Sequence, residues 1–128
     1  MARGFEILTY YDNNFIRALG FTTPLLNRIG VENINEIVID STFKTNQEKF
    51  ELFVVNANCG GYGMPLAYLY LLVSSNLEIV NYYPEDGIVS RAQAIQKFFI
   101  SLRQKGLLPS FVLTDKDAGE ILAVSEIW

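Results

Sequence analysis

Two aspartates stand where the chain otherwise places apolar residues. Asp40 lies inside the stretch "IVIDSTFKT" (residues 37–45), and Asp115 closes the stretch "FVLTD" (residues 111–115). Carboxylates are the hard oxygen ligands that suit Mg²⁺, an ion that keeps open positions for the phosphates of a substrate. Two neighbouring carboxylates repel each other unless a proton or a cation lies between them. The pair is therefore a candidate divalent-metal site, provided that the fold brings the two residues together.

Each aspartate also has a purely structural interpretation. An aspartate that follows a strand often caps a helix or begins a turn, although Asp117 is better placed than Asp115 to cap the next helix. Asp40 is harder to explain in this way, because an unpaired carboxylate midway along a buried strand costs on the order of several kcal/mol. We therefore expect Asp40 to have a role beyond packing.

The hydrophobic pattern predicts an alternation of strands and helices. Three strands with tight links favour an antiparallel meander. They are predicted over residues 34–43, 50–58 and 64–73. A helix with one apolar face follows over residues 90–106, with Ser90 and Gln93 as a capping box and Gly106 as its stop. A short strand over residues 111–115 and a helix from residue 117 complete this α/β plan.

A mixed sheet would bring the two aspartates together. If the helical crossover passes the first two strands of the meander, strand 111–115 pairs in parallel with strand 34–43. Parallel pairing sets Asp115 beside Asp40, at the crevice where open α/β sheets bind ligands. A short helix over residues 22–29, with Thr23 as its cap and Gly30 at its end, precedes the sheet.

Composition excludes several classes of protein. The chain has 128 residues, half of them hydrophobic, which fits one domain with a real core. Its longest apolar run has ten residues, well short of the roughly 20 that cross a bilayer, and no secretory signal is readable. The single cysteine suits an intracellular, reducing compartment, and the lack of histidine removes the commonest general base and zinc ligand. A net charge of -4 argues against a nucleic-acid platform over the whole surface.

Other polar and aromatic residues near the two aspartates have ordinary interpretations, which we prefer. Thr42 and Lys44 either position a phosphate or are plain polar residues of a strand end. The glycines after Cys59 suit a hairpin turn better than a phosphate cradle, because the Lys-Ser/Thr of a P-loop is missing. Tyrosines of the third strand and of the segment after it are interpreted as core or rim residues rather than base-stacking platforms; they are Tyr68, Tyr70, Tyr82 and Tyr83.

Three stretches of the chain together resemble a known family. "VIDSTFKTN", "FELFVVNANCGGYGMPLAYLYLL" and "FVLTDKDAGEILAV" are similar, in this order, to the catalytic core of eukaryotic Mutator-like (MULE) DNA transposases. That family has a D-[AGS]-T-[FY]-K-T motif on a strand and a T-D-x-x-x-A motif before a helix. The resemblance covers roughly residues 20–128. It divides the chain into an N-terminal segment with a short helix, residues 1–30, and a partial catalytic domain, residues 31–128.

The resemblance implies a fold and an activity. The fold would be ribonuclease-H-like: a three-strand antiparallel meander, a parallel fourth strand and flanking helices. The activity would be DDE-type cleavage and transfer of DNA strands in the nucleus, dependent on Mg²⁺ or Mn²⁺. Asp40 would contact both metal ions and Asp115 one of them. DNA would be the partner, through the full-length protein, and a membrane would not.

The chain also departs from the family's pattern. The third acidic residue, a Cys and His pair and a DNA-end-binding domain have no counterpart, and neither Glu120 nor Glu126 matches the third position. We therefore expect a C-terminally truncated fold that is inactive alone and forms homo-oligomers through an open sheet edge. Two other interpretations stay open: a co-opted transposase fold that acts through protein or nucleic-acid contacts, and an unrelated α/β domain that binds a nucleotide or small acid.

Overall fold

The structure, a computed structural model, describes residues 4–12, 16–43, 50–73, 91–114 and 127–128. Within these residues the protein is an α/β fold with one mixed, open sheet of six strands in the order β1-β2-β5-β4-β3-β6. The strands are β1 (Glu6–Asp12), β2 (Ile16–Thr22), β3 (Glu36–Phe43), β4 (Phe50–Cys59), β5 (Tyr62–Val73) and β6 (Phe111–Thr114). The helices are α1 (Pro24–Ile29) and α2 (Arg91–Gln104), with a 3₁₀ turn over Val31–Asn33.

The strand pairings predicted from the sequence are confirmed. Strands β3, β4 and β5 form an antiparallel meander, and β6 pairs in parallel with β3. The turn between β4 and β5 contains Gly60 and Gly61, whose φ angles of 61° and 89° lie in the left-handed region that glycine adopts at little cost. The hairpin interpretation of these glycines is thus confirmed as well.

The N-terminal segment holds two strands that the sequence analysis did not predict. Strands β1 and β2 form an antiparallel hairpin, and β2 pairs with β5 through partners such as Phe21 and Tyr68. The hairpin widens the predicted four-strand sheet to six strands. Helix α2 lies close against β2, so close that a Cβ atom on Gly20 would come within 2.7 Å of the Phe98 ring.

The core lies between α2 and one face of the sheet, which we name the inner face. Helix α2 contributes the apolar side chains that its spacing predicted, and all of them are buried. The main contributors from the sheet are Ile37, Ile39, Phe53, Val55 and Leu69, and those from α2 are Ile95, Phe98, Phe99 and Leu102. The opposite face of the sheet is the outer face. Among the described residues no helix is both long and apolar enough to cross a membrane.

Local hydrogen bonds set the helix ends. The Thr23 hydroxyl accepts a hydrogen bond from the Leu25 amide at 3.3 Å and donates one to the Pro65 carbonyl at 2.6 Å, so the predicted cap also ties α1 to β5. Gly30 and Gly106 follow α1 and α2 with φ angles of 84° and 100°, as expected for helix ends. Ser90 and most of the predicted last helix lie outside the described residues.

Candidate functional site

Asp40 lies on the outer face of β3. Its neighbour Ile39 points into the core and is fully buried, whereas the Asp40 side chain is exposed. The expectation of a buried carboxylate at this position is therefore wrong. The physical reason is the alternation of a strand: Ile37 and Ile39 share the inner face, and the residue between Ile39 and Ser41 must point the other way. Asp40 consequently keeps its hydration and bears no large desolvation cost.

The second candidate, Asp115, lies outside the described residues, as do Lys44, Glu120 and Glu126. The strand that leads to it is described. Strand β6 runs parallel to β3 with Ile37 opposite Val112 and Ile39 opposite Thr114. Asp40 is the residue after Ile39 in the sequence, and Asp115 is the residue after Thr114. The parallel pairing on which the predicted site depends is thus present up to the residue before each aspartate.

Among the described residues, the Asp40 carboxylate has none of the contacts that would indicate a structural role. No hydrogen bond or ion pair joins it to another residue that the structure describes. Glu36, four positions earlier on the same face, accepts a hydrogen bond from the Asn58 side-chain amide at 3.3 Å. Within the described ranges, no three Cys, Asp or Glu side chains are grouped as a metal site would require. Asp40 is therefore an available ligand that needs further ligands to hold an ion.

An aromatic cluster lies on the outer face, two strands away from Asp40 at its nearest member. Asp40 is opposite Val54, Val54 is opposite Tyr68, and Tyr68 is opposite Phe21, so all four residues form one row across four strands. The Phe21 ring lies 5.6 Å from the Tyr68 ring and 6.4 Å from the Tyr70 ring, nearly parallel to the latter. The local sequence pattern does not predict this cluster, because its β2 member, Phe21, lies in a strand that the pattern does not indicate.

Comparisons with protein-family models, with curated proteins and with solved structures find no match for this chain. The transposase resemblance therefore rests on the motifs of the sequence itself, and the function has to be argued from the residues and their positions.

Proposed function

We propose that the chain is part of a Mutator-like DNA transposase catalytic domain of ribonuclease-H-like fold, which acts on DNA in the nucleus. Asp40 and Asp115 would contribute to its divalent-metal site. The observation that carries this proposal is the parallel register of β3 and β6, which sets Ile39 opposite Thr114. If that register continues for one more residue, the two aspartates lie one strand spacing apart, about 4.8 Å between their backbones. One cation can contact two carboxylates at that separation.

The Asp40 side chain suits a hard cation. It is exposed, it has no partner among the described residues, and it extends to the face of the sheet opposite α2. A divalent ion held by Asp40 and Asp115 would supply activation of an attacking water or 3′-hydroxyl and stabilisation of the leaving oxygen of the phosphodiester. Asp40 and Asp115 would hold the metal and so position the scissile phosphate. The substrate would approach over the outer face, because α2 covers the inner one.

The third acidic residue of the family's triad has no match in these 128 residues. Two carboxylates leave most of the coordination of a metal ion to water, so we expect weak binding. For the same reason we expect no DNA cleavage by this chain alone. Robust cleavage by the purified chain would contradict the role given to the missing acid.

A second candidate function is a co-opted fold that acts through contacts with another molecule. The observation that favours it is the set of exposed apolar side chains on the sheet, among them Tyr10, Tyr70 and Leu113. Both functions predict binding of a partner. Only the transposase function predicts that a divalent ion binds at residues 40 and 115.

Titration with Mn²⁺, followed by the loss of its free electron-spin resonance signal, tests the metal site. We expect weak binding by the wild type and its loss in Asp40→Asn and in Asp115→Asn. Asp12→Asn, which changes another exposed aspartate far across the sheet, is the matched control and should bind as the wild type does. Because Asp40 is exposed, Asp40→Asn should change the free energy of unfolding by less than about 0.5 kcal/mol. Unchanged Mn²⁺ binding in both variants would exclude the proposed site.

A further inference from the structure

A groove crosses the outer face near the end of the sheet that β1 forms. Tyr10 in β1 lies opposite Leu19 in β2, and Leu19 lies opposite Tyr70 in β5. Leu19 therefore forms the floor, and the two tyrosines form the sides. Two strand spacings separate the backbones of the tyrosines, which is about 10 Å. The groove has a volume of about 400 Å³.

The two tyrosines are accessible and one of them is held in place. Tyr10 is 64% exposed and Tyr70 is 38% exposed. The Phe21 ring packs nearly parallel to the Tyr70 ring, with 17° between the ring planes. This contact limits the movement of the Tyr70 ring. Aromatic planes in contact lie about 3.5 to 4 Å apart. Two tyrosine planes that enclose one flat ring would be about 7 to 8 Å apart, which fits within the roughly 10 Å between the two backbones.

The groove has a polar end. Asp12 and Arg17 line it there, with the Arg17 Nε atom 3.3 Å from an Asp12 carboxylate oxygen. A guanidinium donates hydrogen bonds and a carboxylate accepts them, so the pair offers both functions to the edge of a flat ligand. Aromatic sides, an apolar floor and a few polar groups in a volume of this size are typical of a site for a small planar group.

We propose that this groove binds a base of single-stranded nucleic acid. A nucleobase is a flat ring whose edge carries both donors and acceptors, which matches the sides and the polar end of the groove. The choice of nucleic acid rests on the proposed function, since Asp40 lies on the same face. About three strand spacings, roughly 14 Å, separate the Asp40 strand from the middle of the groove. A strand that inserts a base there would run across the aromatic cluster and bring a phosphate, a few nucleotides away, to Asp40.

The net charge of the protein predicts that the affinity for a nucleic-acid strand depends only weakly on salt. The chain carries a net charge of -4, and the described outer face holds Glu36 and Asp40 besides the paired Asp12 and Arg17. Few phosphates would be neutralised, so few counterions would be released on binding. We therefore expect an affinity that depends on base stacking and falls only slightly with added salt.

Fluorescence anisotropy with a fluorescein-labelled oligodeoxyadenylate in EDTA tests the proposal without any contribution from a metal site. We expect the wild type to bind this strand and not an abasic strand of equal length. Removal of one stacking ring should weaken binding by roughly 5- to 150-fold, as measured on Tyr10→Ala and Tyr70→Ala. Tyr62→Ala removes an equally typical surface tyrosine, 74% exposed and outside the groove, and should bind as the wild type does.

Tyr10→Ala is the decisive variant, because Tyr10 is largely exposed and its loss should leave the circular dichroism spectrum unchanged. Equal binding of the abasic strand, no binding by the wild type, or unchanged affinity in Tyr10→Ala would each overturn the proposal. So would binding of a phenylalanine-containing peptide at the groove without binding of DNA, which would identify a protein partner instead. The Mn²⁺ titration of Asp40→Asn and the anisotropy measured on Tyr10→Ala in EDTA are separate readouts, so a failed metal site and a failed groove are distinguished.

Discussion

Ile39 and Thr114 lie side by side on neighbouring parallel strands, although a meander, a long connection and helix α2 separate them in the chain. Parallel neighbours need a crossover, and α2 is the described helix that precedes β6. The pairing makes the two motif-bearing strands leave the sheet at the same end. This relationship was predicted from the order of the elements, and together with Asp40 it is what the described residues contain of the candidate site.

The close approach of α2 to β2 predicts that Gly20→Ala destabilises the fold. An added Cβ atom would lie 2.7 Å from the Phe98 ring and 3.2 Å from the Thr9 Cβ atom, and Phe98 is fully buried. Overpacking of this kind costs about 1 to 3 kcal/mol. Urea denaturation measures the loss. Gly63→Ala in β5 is the matched control, because its nearest neighbour is an Asn56 atom at 3.8 Å and its stability should change by less than about 0.5 kcal/mol. Equal stability of the two variants would show that α2 does not pack closely enough on Gly20 for an added methyl group to clash.

The contact between Phe98 of α2 and Gly20 of β2 helps to explain why the N-terminal hairpin could not be predicted from the sequence. The inward positions of β2 are Ile16, Ala18, Gly20 and Thr22, and three of the four are small. Small residues give a weak hydrophobic alternation, so the local pattern does not indicate a strand. At Gly20 the small size matches the close approach of α2, whose Phe98 ring would lie 2.7 Å from an added Cβ atom, and that helix comes far later in the chain. The strand conformation of β2 thus depends on tertiary packing, and the pattern of neighbouring residues in the sequence does not reveal that packing.

The place of Asp40 in the sheet was predictable from the sequence, but the environment of its side chain was not. Side chains alternate between the two faces along β3, and Asp40 accordingly lies on the face opposite Ile37 and Ile39. The run of apolar residues suggested that both faces were covered, whereas the Asp40 side chain is exposed. Whether a sheet face is covered depends on where helices pack, and the sequence of one strand does not record that. The groove between Tyr10 and Tyr70 was missed for a related reason, because one of its sides comes from the unpredicted hairpin.

A half-buried ion pair anchors the start of α2 to the sheet. The Arg91 guanidinium donates two hydrogen bonds of 2.9 Å to the two carboxylate oxygens of Glu51, and it lies 6.0 Å from the centre of the Phe53 ring. The Glu51 side chain is only 13% exposed. Arg91→Gln should therefore cost about 1 to 3 kcal/mol of the free energy of unfolding, because it leaves a poorly hydrated carboxylate without its partner.

The surface pair of Arg17 and Asp12 is the matched control for this anchor. Its two side chains are both largely exposed, and pairs of that kind contribute about 0 to 1 kcal/mol. A double-mutant cycle of Glu51→Gln with Arg91→Gln, read by urea denaturation, should give a clearly larger coupling energy than Asp12→Asn with Arg17→Gln. Equal coupling in the two cycles would mean that burial adds nothing to the Glu51–Arg91 pair.

The edge of the sheet at β6 predicts self-association. Among the described strands β6 pairs only with β3, and its residues Phe111 and Leu113 are exposed apolar side chains. An edge of this kind presents unpaired backbone groups that a second copy can pair with.

Sedimentation velocity should show dimers whose proportion increases with protein concentration. Leu113→Lys should shift the chain to monomer, because two copies of the added charge would meet at the paired edges. Tyr62→Lys adds the same charge at an exposed site away from this edge and should leave the dimer intact. A wild type that stays monomeric at high concentration, or a dimer that Leu113→Lys does not weaken, would exclude association through β6.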